Sequence, residues 1–219
     1  MVTTHKSQQV DAFHYLITSL YTLEHCVDDD NPIIRAHICY VSFGSATNII
    51  ATSLDTREEL ERKYGDAKKN VEELQTLGCT VVHGVDVHSM NLDYRVGGLN
   101  LYDRIIFNFP HAGFDYGRVT RESDSFTIMK HQEVVSGFFT SARDLVKADG
   151  EIHVTHKIAY PFASWNIETL GEEKGLYCYK EIKFELWQYP GYSNKRGSGH
   201  DPDSSFPVGE CSTFMFKKY

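Results

Sequence analysis

The sequence lacks any apolar run long enough to span a membrane, and it has no internal repeat or low-complexity tract. Its most apolar N-terminal run, 13–23, is interrupted by polar residues, which excludes a membrane-spanning helix there. The five cysteines are odd in number, and none of them forms a C-x-x-C pair. Free thiols are typical of a reducing compartment, so we expect an intracellular protein without structural disulfides.

Positive charge is also scarce, with 22 Lys and Arg residues against 30 Asp and Glu and a net charge of −8. Without an overall basic field, any contact with RNA has to come from a local patch. The eleven histidines are scattered along the chain. His153 and His156 fall on opposite faces of a predicted strand, so we expect no metal site. A chain of 219 residues is long enough for one α/β domain.

Apolar periodicity predicts strands that alternate with helices along most of the chain. The predicted strands lie near 36–41, 48–54, 80–85, 103–107, 151–156, 177–187 and 211–218. Helices are predicted at 8–25, at 56–77 behind a capping box of Thr56 and Glu59, at 126–147, and in a short segment after Ser164. Alternation followed by two long strands favours a mostly parallel sheet with a C-terminal antiparallel hairpin.

The most informative stretch is YDRIIFNFPHAG at 102–113. A strand that is apolar on both faces ends there at Asn108, Phe109, Pro110 and His111, and ligands of open α/β sheets bind at the carboxyl ends of strands. Asn108 can accept from a nucleobase N–H, Phe109 can stack on the base while Pro110 holds it extended, and His111 can accept a proton. Methyltransferases that act on base nitrogens have an Asn/Asp-x-Pro-aromatic turn at this point. The alternative is that Asn108 caps a turn and His111 is an ordinary loop histidine.

Two carboxylates and a late loop are further candidates. Asp55 and Asp86 end successive strands, where a carboxylate can hold the hydroxyls of a ribose. The alternative for Asp55 is the N-cap of the following helix. The loop over 189–199 interleaves aromatic and cationic side chains, which suits single-stranded RNA, namely Tyr189, Tyr192, Lys195 and Arg196. The alternative is a surface loop whose cations pair with nearby acids.

Four ordered blocks, ATSLD at 51–55, HGVDV at 83–87, YDRIIFNFPHAG at 102–113 and YPGYSNKRGSG at 189–199, together resemble one family. It is the domain of eukaryotic large-subunit (25S) ribosomal RNA uridine-N3 methyltransferases and their plant relatives, and the resemblance runs from about Phe43 onward. The resemblance implies a Rossmann-like fold, S-adenosylmethionine as methyl donor and a ribosomal RNA uridine as acceptor. It also implies rRNA processing in the nucleus, the nucleolus or the cytoplasm. By position, Asp55 would hold the cofactor ribose, Asp86 would lie near its adenine, and 108–111 would be the catalytic turn.

The sequence departs from the family at its first strand. The family has a loop of the type G-[DE]-G-D-F-S-F-S and a helix after that strand, whereas here Val41 is followed at once by Ser42-Phe43-Gly44. We therefore expect an atypical helical segment over 1–35 and a single methyltransferase domain over 36–219 with a degenerate first strand–loop–helix unit. In this prediction 36–41 stays in the sheet and helix 8–25 covers the vacated face.

The missing loop bears on function. It arises either from a mis-spliced or mis-predicted gene product or from a genuine degenerate paralogue, and the sequence leaves both open. Because the loop supplies backbone N–H groups to the cofactor, its loss predicts weak or absent binding of S-adenosylmethionine. Two functions follow: an S-adenosylmethionine-dependent rRNA (uridine-N3) methyltransferase, or a catalytically silent module of the same fold that binds RNA or protein.

Overall fold

A computed structural model of the chain describes residues 15–18, 46–97, 102–113, 121–188, 193–197 and 199–219. The strands are β1 (Tyr15–Thr18), β2 (Ile49–Ser53), β3 (Thr80–His83), β4 (Tyr102–Asn108), β5 (Val146–Lys157), β6 (Leu176–Lys183) and β7 (Cys211–Lys218). The α-helices are α1 (Arg57–Lys63), α2 (Ala67–Thr76), α3 (Ser125–Leu145) and α4 (Ile167–Glu172). Short 3₁₀ turns lie at Met90–Leu92, Phe162–Trp165 and Leu186–Gln188.

The described strands form one seven-stranded sheet in the order β3-β2-β1-β4-β5-β7-β6. Strands β1 to β5 run parallel to one another. Strand β7 is antiparallel to both β5 and β6, so the last two strands close the sheet as an antiparallel hairpin. This confirms the predicted Rossmann-like sheet, and six of the seven predicted strands correspond to β2 to β7.

The central strand is β1, which comes from the N-terminal segment. Leu16 pairs with Ile50 of β2 on one side and with Ile105 of β4 on the other. The predicted helix over 8–25 is therefore wrong at Tyr15–Thr18, while the rest of 8–25 and the predicted strand at 36–41 lie outside the described residues. A strand enclosed in a parallel sheet is encoded by a short apolar run, and periodicity cannot distinguish such a run from a buried helix.

Helices cover both faces of the sheet. Ile105 belongs to a large core with Phe138 and Phe139 of α3, whereas its neighbour Ile106 packs with Leu74 of α2. Successive residues of a strand point to opposite faces, so α3 and α2 lie on opposite sides of β4. Among the described residues, no helix combines the length and the hydropathy needed to cross a bilayer.

Two predicted elements differ in extent from the observed ones. The single helix predicted over 56–77 is divided into α1 and α2 by Tyr64-Gly65-Asp66, because glycine is a poor helix former. The predicted capping box is present, with the Thr56 hydroxyl accepting from the Glu59 N–H at 3.2 Å. The strand predicted over 177–187 ends at Lys183, and a 3₁₀ turn follows.

Candidate active site at the carboxyl edge of the sheet

The carboxyl ends of the parallel strands form one edge of the sheet. The strand registers place Ser53 opposite His83, Asn108 opposite Thr155, and Lys157 opposite Cys211 at the start of β7. The residues that follow β2, β3 and β4 therefore reach the same edge, together with the segment that leads into β7. The candidate residues predicted from the sequence belong to these segments.

Two cavities open at this edge and share residues. The smaller one, about 280 Å³, is here called the acidic cavity because it is lined by Asp55 and Asp86. The larger one, about 440 Å³, is called the aromatic cavity because it is lined by Phe109, Phe162, Trp165 and Phe206. His111 and Arg196 line both, so the two cavities adjoin at these side chains.

The acidic cavity contains both predicted cofactor-binding carboxylates. Asp55 Oδ1 lies 2.5 Å from the Lys63 ammonium, so this carboxylate is already ion-paired. The helix N-cap is Thr56 rather than Asp55, which removes the capping alternative for Asp55. Partial burial disfavours ionised Asp86, but hydrogen bonds from the backbone and imidazole of His88 outweigh it and lower the pKa of Asp86.

The turn after β4 has an unusual backbone and an unpaired polar atom. Asn108 is buried, and its Oδ1 has no hydrogen-bond partner in the described part of the chain. Phe109 has a φ of 49°, so it is not extended as predicted. Its N–H donates to the Thr155 carbonyl at 2.8 Å, which continues the pairing with β5 beyond the end of β4. A positive φ at a bulky residue is strained, and such strain is found most often at functional sites.

Phe109 lines the aromatic cavity but also packs within the protein. Its ring meets the rings of Phe184 and Phe206 edge-on, at centroid distances of 5.5 and 5.6 Å. Only 9% of the residue is exposed. A base that enters this cavity can therefore contact only part of the ring.

Both ring nitrogens of His111 are engaged. Its Nδ1 accepts from the Gly113 N–H at 2.9 Å, which places the hydrogen of the neutral ring on Nε2. That Nε2 lies 3.2 Å from Glu122 Oε1 and donates to it. The only lone pair of the neutral imidazole is thus occupied, so this geometry does not support the predicted role of His111 as a proton acceptor.

A second histidine lies beside the other oxygen of Glu122, at ion-pair distance but without a hydrogen bond between them in the described residues. His131 is fully buried, its Nδ1 accepts from the Ala112 N–H at 3.1 Å, and its Nε2 lies 3.3 Å from Glu122 Oε2. Burial disfavours the charge of Glu122, but the hydrogen bond from His111 and the nearby His131 outweigh it and lower the pKa of Glu122 to about 2. Neither His131 nor Glu122 was among the site residues predicted from the sequence.

His111, Glu122 and His131 lie close enough together to hold a metal ion. A metal-bound histidine, however, normally donates an N–H from its other ring nitrogen. Here the other nitrogen of each ring accepts a backbone N–H, so each neutral ring carries its hydrogen on the nitrogen that faces Glu122. The donor set therefore fits a hydrogen-bonded carboxylate better than a metal centre.

Trp165 lies between two histidine rings beneath the aromatic cavity. Its centroid is 4.2 Å from that of His131 and 4.2 Å from that of His156. His156 Nε2 lies 3.1 Å from the Phe162 carbonyl oxygen, and burial lowers the pKa of His156 to about 4. Trp165 and His156 line the cavity, and His131 stacks on Trp165 at an interplanar angle of 25°.

The predicted RNA-binding loop is only partly described. Lys195 is buried, with its ammonium 3.0 Å from Asp203 Oδ1 and 2.6 Å from the Asp203 carbonyl oxygen, as expected from the local-pairing alternative. Arg196 is exposed, and within the described residues its guanidinium has no hydrogen bond or ion pair. Tyr189 and Tyr192 lie outside the described residues.

Comparison with known proteins finds one family along most of the chain. The family model described as BMT5-like, rRNA (uridine-N3-)-methyltransferase BTM5-like, matches residues 36–196. Uncharacterized protein At4g26485 of Arabidopsis thaliana is 52% identical over 181 residues, which cover 82% of this chain and 85% of that protein. The 25S rRNA (uridine(2634)-N(3))-methyltransferase of Saccharomyces cerevisiae is 23% identical over 251 aligned positions, covering 90% of this chain and 73% of that enzyme.

Solved structures show the same fold at low sequence identity. The CcbJ methyltransferase from Streptomyces caelestis superposes with a TM-score of 0.52 at 9% identity, covering 95% of this chain and 84% of that chain. The sheet of this chain therefore matches that of known methyltransferases. Its central strand β1 nevertheless lies outside the part of the chain that the family model matches.

Proposed function

This chain belongs to the BMT5-like rRNA (uridine-N3-)-methyltransferase family, and we propose on that premise that it methylates N3 of a ribosomal RNA uridine. The proposed methyl donor is S-adenosylmethionine, which a methyltransferase of the same fold, the glycopeptide N-methyltransferase MtfA, binds. The observation that carries the proposal is the meeting of the acidic and aromatic cavities at His111 and Arg196. Adjoining cavities allow donor and acceptor to be held in contact, and such positioning supplies a large part of catalysis.

The acidic cavity fits the nucleoside half of the cofactor. The Asp55 carboxylate follows β2 and suits ribose hydroxyls, with Asp86 beyond it at the end of β3. Because Lys63 already pairs with Asp55, the ribose has to share that carboxylate or displace the ammonium. When bound, S-adenosylmethionine supplies an electrophilic methyl group on its sulfonium.

The methionine half of the cofactor has less support. The first 43 residues contain no glycine, so the segment that follows β1 cannot provide the glycine turn that usually follows the first strand. We propose that the chain binds S-adenosylmethionine weakly. Losing two charge-assisted hydrogen bonds of about 1.5–3 kcal/mol each weakens affinity by roughly two to four decades.

The aromatic cavity suits the acceptor base. Phe109, Phe162 and Trp165 offer apolar walls. The unpaired Oδ1 of Asn108 is buried one residue before Phe109, so a base has to shift this turn to reach it. In the proposal Asn108 accepts from the uridine imide, and Pro110 and His111 position the turn through Glu122. His111 thus remains part of the site as a positioning residue.

The exposed rim of this edge suits an RNA strand. Tyr160 is 78% exposed and Trp187 is 75% exposed, and both follow strands that end at this edge. Exposed aromatic rings beside a cation such as Arg196 can stack on unpaired bases. Tyr189 and Tyr192 remain predicted RNA contacts, whereas Lys195 is proposed to anchor its loop. A ribosomal RNA substrate makes the nucleolus the proposed compartment and rRNA processing the proposed context.

A methylation assay on large-subunit rRNA tests the proposal, with N3-methyluridine detected by mass spectrometry after nuclease digestion. Asn108→Ala is expected to lower the rate by about 100-fold, the usual order for loss of one polar group at a reacting centre. Thermal unfolding should change little, because Asn108 Oδ1 has no partner to lose. Equal product from both proteins would remove Asn108 from the mechanism.

A further inference from the structure

Lys157 is the last residue of β5 and lines the aromatic cavity. Its ammonium nitrogen lies 4.8 Å from the centroid of the Phe162 ring and 4.6 Å from that of Phe206. No ion pair joins Lys157 to a carboxylate in the described part of the chain, unlike Lys63 with Asp55. A cation held between two aromatic rings is stabilised only in part, because a ring face compensates charge less completely than a carboxylate.

The surroundings of Lys157 favour the binding of an anion to its ammonium group. Burial lowers the pKa of Lys157, and the negative charge of Glu122 opposes that effect. An ammonium that has lost hydration without gaining a counter-ion interacts strongly with an arriving negative charge. Such a cation is already in place, so neither the protein nor water has to rearrange when a negative charge develops beside it.

The acceptor uridine acquires such a negative charge during methylation. N3 carries a hydrogen between two carbonyl groups, and its lone pair becomes available for attack only after that proton leaves. The resulting imide anion is shared between N3, O2 and O4. Since both nitrogens of His111 are engaged, the cavity needs another group that favours this anion.

We propose that protonated Lys157 pairs with O2 or O4 of the acceptor uridine and so holds its imide as the anion. The inference rests on the proposed function and extends it by assigning a catalytic residue. In the balanced reaction the N3–H bond breaks and the proton passes to solvent. The N3 electron pair then forms the bond to the methyl carbon, and the electron pair of the methyl–sulfur bond stays on sulfur.

Other titratable groups around the cavity bear on any pH measurement. On the sheet side these are His111, Glu122, His156 and Cys211. On the loop side these are Lys195, Arg196, His200 and Asp201. Arg196 is the one most able to substitute for Lys157, because Lys195 is ion-paired with Asp203. Variants of both cations are therefore needed.

The test uses 5-fluorouridine 5′-monophosphate, whose fluorine makes N3–H more acidic and whose fluorine-19 resonance reports its ionisation. The nucleotide is titrated with pH in the presence and absence of the full chain. The N3–H pKa of the bound nucleotide should lie about one unit or more below that of the free nucleotide, as expected beside an opposite charge. Lys157→Met should return it to the free value, and Lys157→Arg should keep it low.

Lys217→Met is the matched control, because the Lys217 ammonium also lies over a ring, 4.7 Å from the Tyr179 centroid, but outside the cavity. It should leave the lowered pKa intact. Lys157→Gln provides a second neutral variant if Lys157→Met does not fold.

Three results would overturn the inference. If the lowered pKa persists in Lys157→Met and disappears in Arg196→Met, the cation is Arg196. If the wild-type chain binds the nucleotide without lowering its pKa, the role of Lys157 fails while the proposed function stands. If the fluorine signal never responds to the protein, the cavity does not take a uridine nucleotide, and both proposals fail.

Discussion

One oxygen of Glu122 is hydrogen-bonded to His111 and the other lies 3.3 Å from His131 Nε2, so this bridge links the turn that follows β4 to helix α3. In Glu122→Gln an amide NH₂ replaces one oxygen and faces a ring N–H, so two donors oppose each other. The free energy of unfolding at pH 7 should fall by about 1–3 kcal/mol, the cost of a buried unsatisfied polar group. Denaturant unfolding measures the change.

The matched control is Glu133→Gln on helix α3. Glu133 pairs with Lys130 in the exposed i,i+3 position, with both side chains about half exposed. Its loss should change stability by less than about 0.5 kcal/mol. Equal effects of the two variants would show that Glu122 does not bridge the histidines.

His156 makes stability depend on pH in a predictable direction. Burial lowers its pKa from 6.5 to about 4, so between these values the unfolded chain binds a proton that the folded chain does not. Stability contributed by neutral His156 is full above pH 6.5 and is lost as the pH falls toward 4. At about 1.4 kcal/mol per pH unit, the loss approaches about 3 kcal/mol.

Denaturant unfolding of the wild-type chain and of His156→Gln checks this between pH 7 and pH 4. Glutamine keeps an N–H donor near the Phe162 carbonyl oxygen but does not titrate. The wild type should lose about 3 kcal/mol more than the variant over this range. An equal loss of stability in the wild type and in His156→Gln would mean that folding does not keep His156 neutral.

At the scale of elements, β1 is the part that sequence reasoning assigned wrongly. Its four residues pair with β2 and β4 along both sides. Hydrogen–deuterium exchange should therefore show amides of 15–18 protected as strongly as those of β4, and more strongly than those of the edge strand β6. Fast exchange at 15–18 with protection at 36–41 would instead support the strand first predicted from sequence.

The strands and the turn at 108–111 could be predicted because local signals specify them. Apolar runs of strand length end at polar or turn residues, as β4 does before Pro110. The bridge at Glu122 has no such signal, because its members come from the turn after β4, a loop and α3. One clue existed: His131 lies on the apolar face of α3, four residues before Val135, where a buried histidine requires polar partners.

At the scale of the whole molecule, the aromatic rim should contribute to RNA affinity. Trp187→Ala should weaken binding of single-stranded uridine-rich RNA by roughly 5- to 100-fold, since stacking on one base is worth about 1–3 kcal/mol. Fluorescence anisotropy measures the affinity. Tyr219→Ala is the control, because Tyr219 is 82% exposed but follows Lys218, which pairs with Leu176 at the opposite edge. An equal loss of RNA affinity in both variants would contradict RNA binding at the carboxyl edge of the sheet.

The candidate site lies at the carboxyl edge of the sheet, and the segment that follows the central strand β1 contains no glycine up to residue 43. The most direct test is the rate of N3-methyluridine formation on large-subunit rRNA as a function of S-adenosylmethionine concentration. Product should form, and the rate should still be rising at millimolar cofactor, because the affinity is reduced by roughly two to four decades. Saturation at micromolar cofactor would contradict the weakened methionine end, and absence of N3-methyluridine at every concentration would contradict methyl transfer itself.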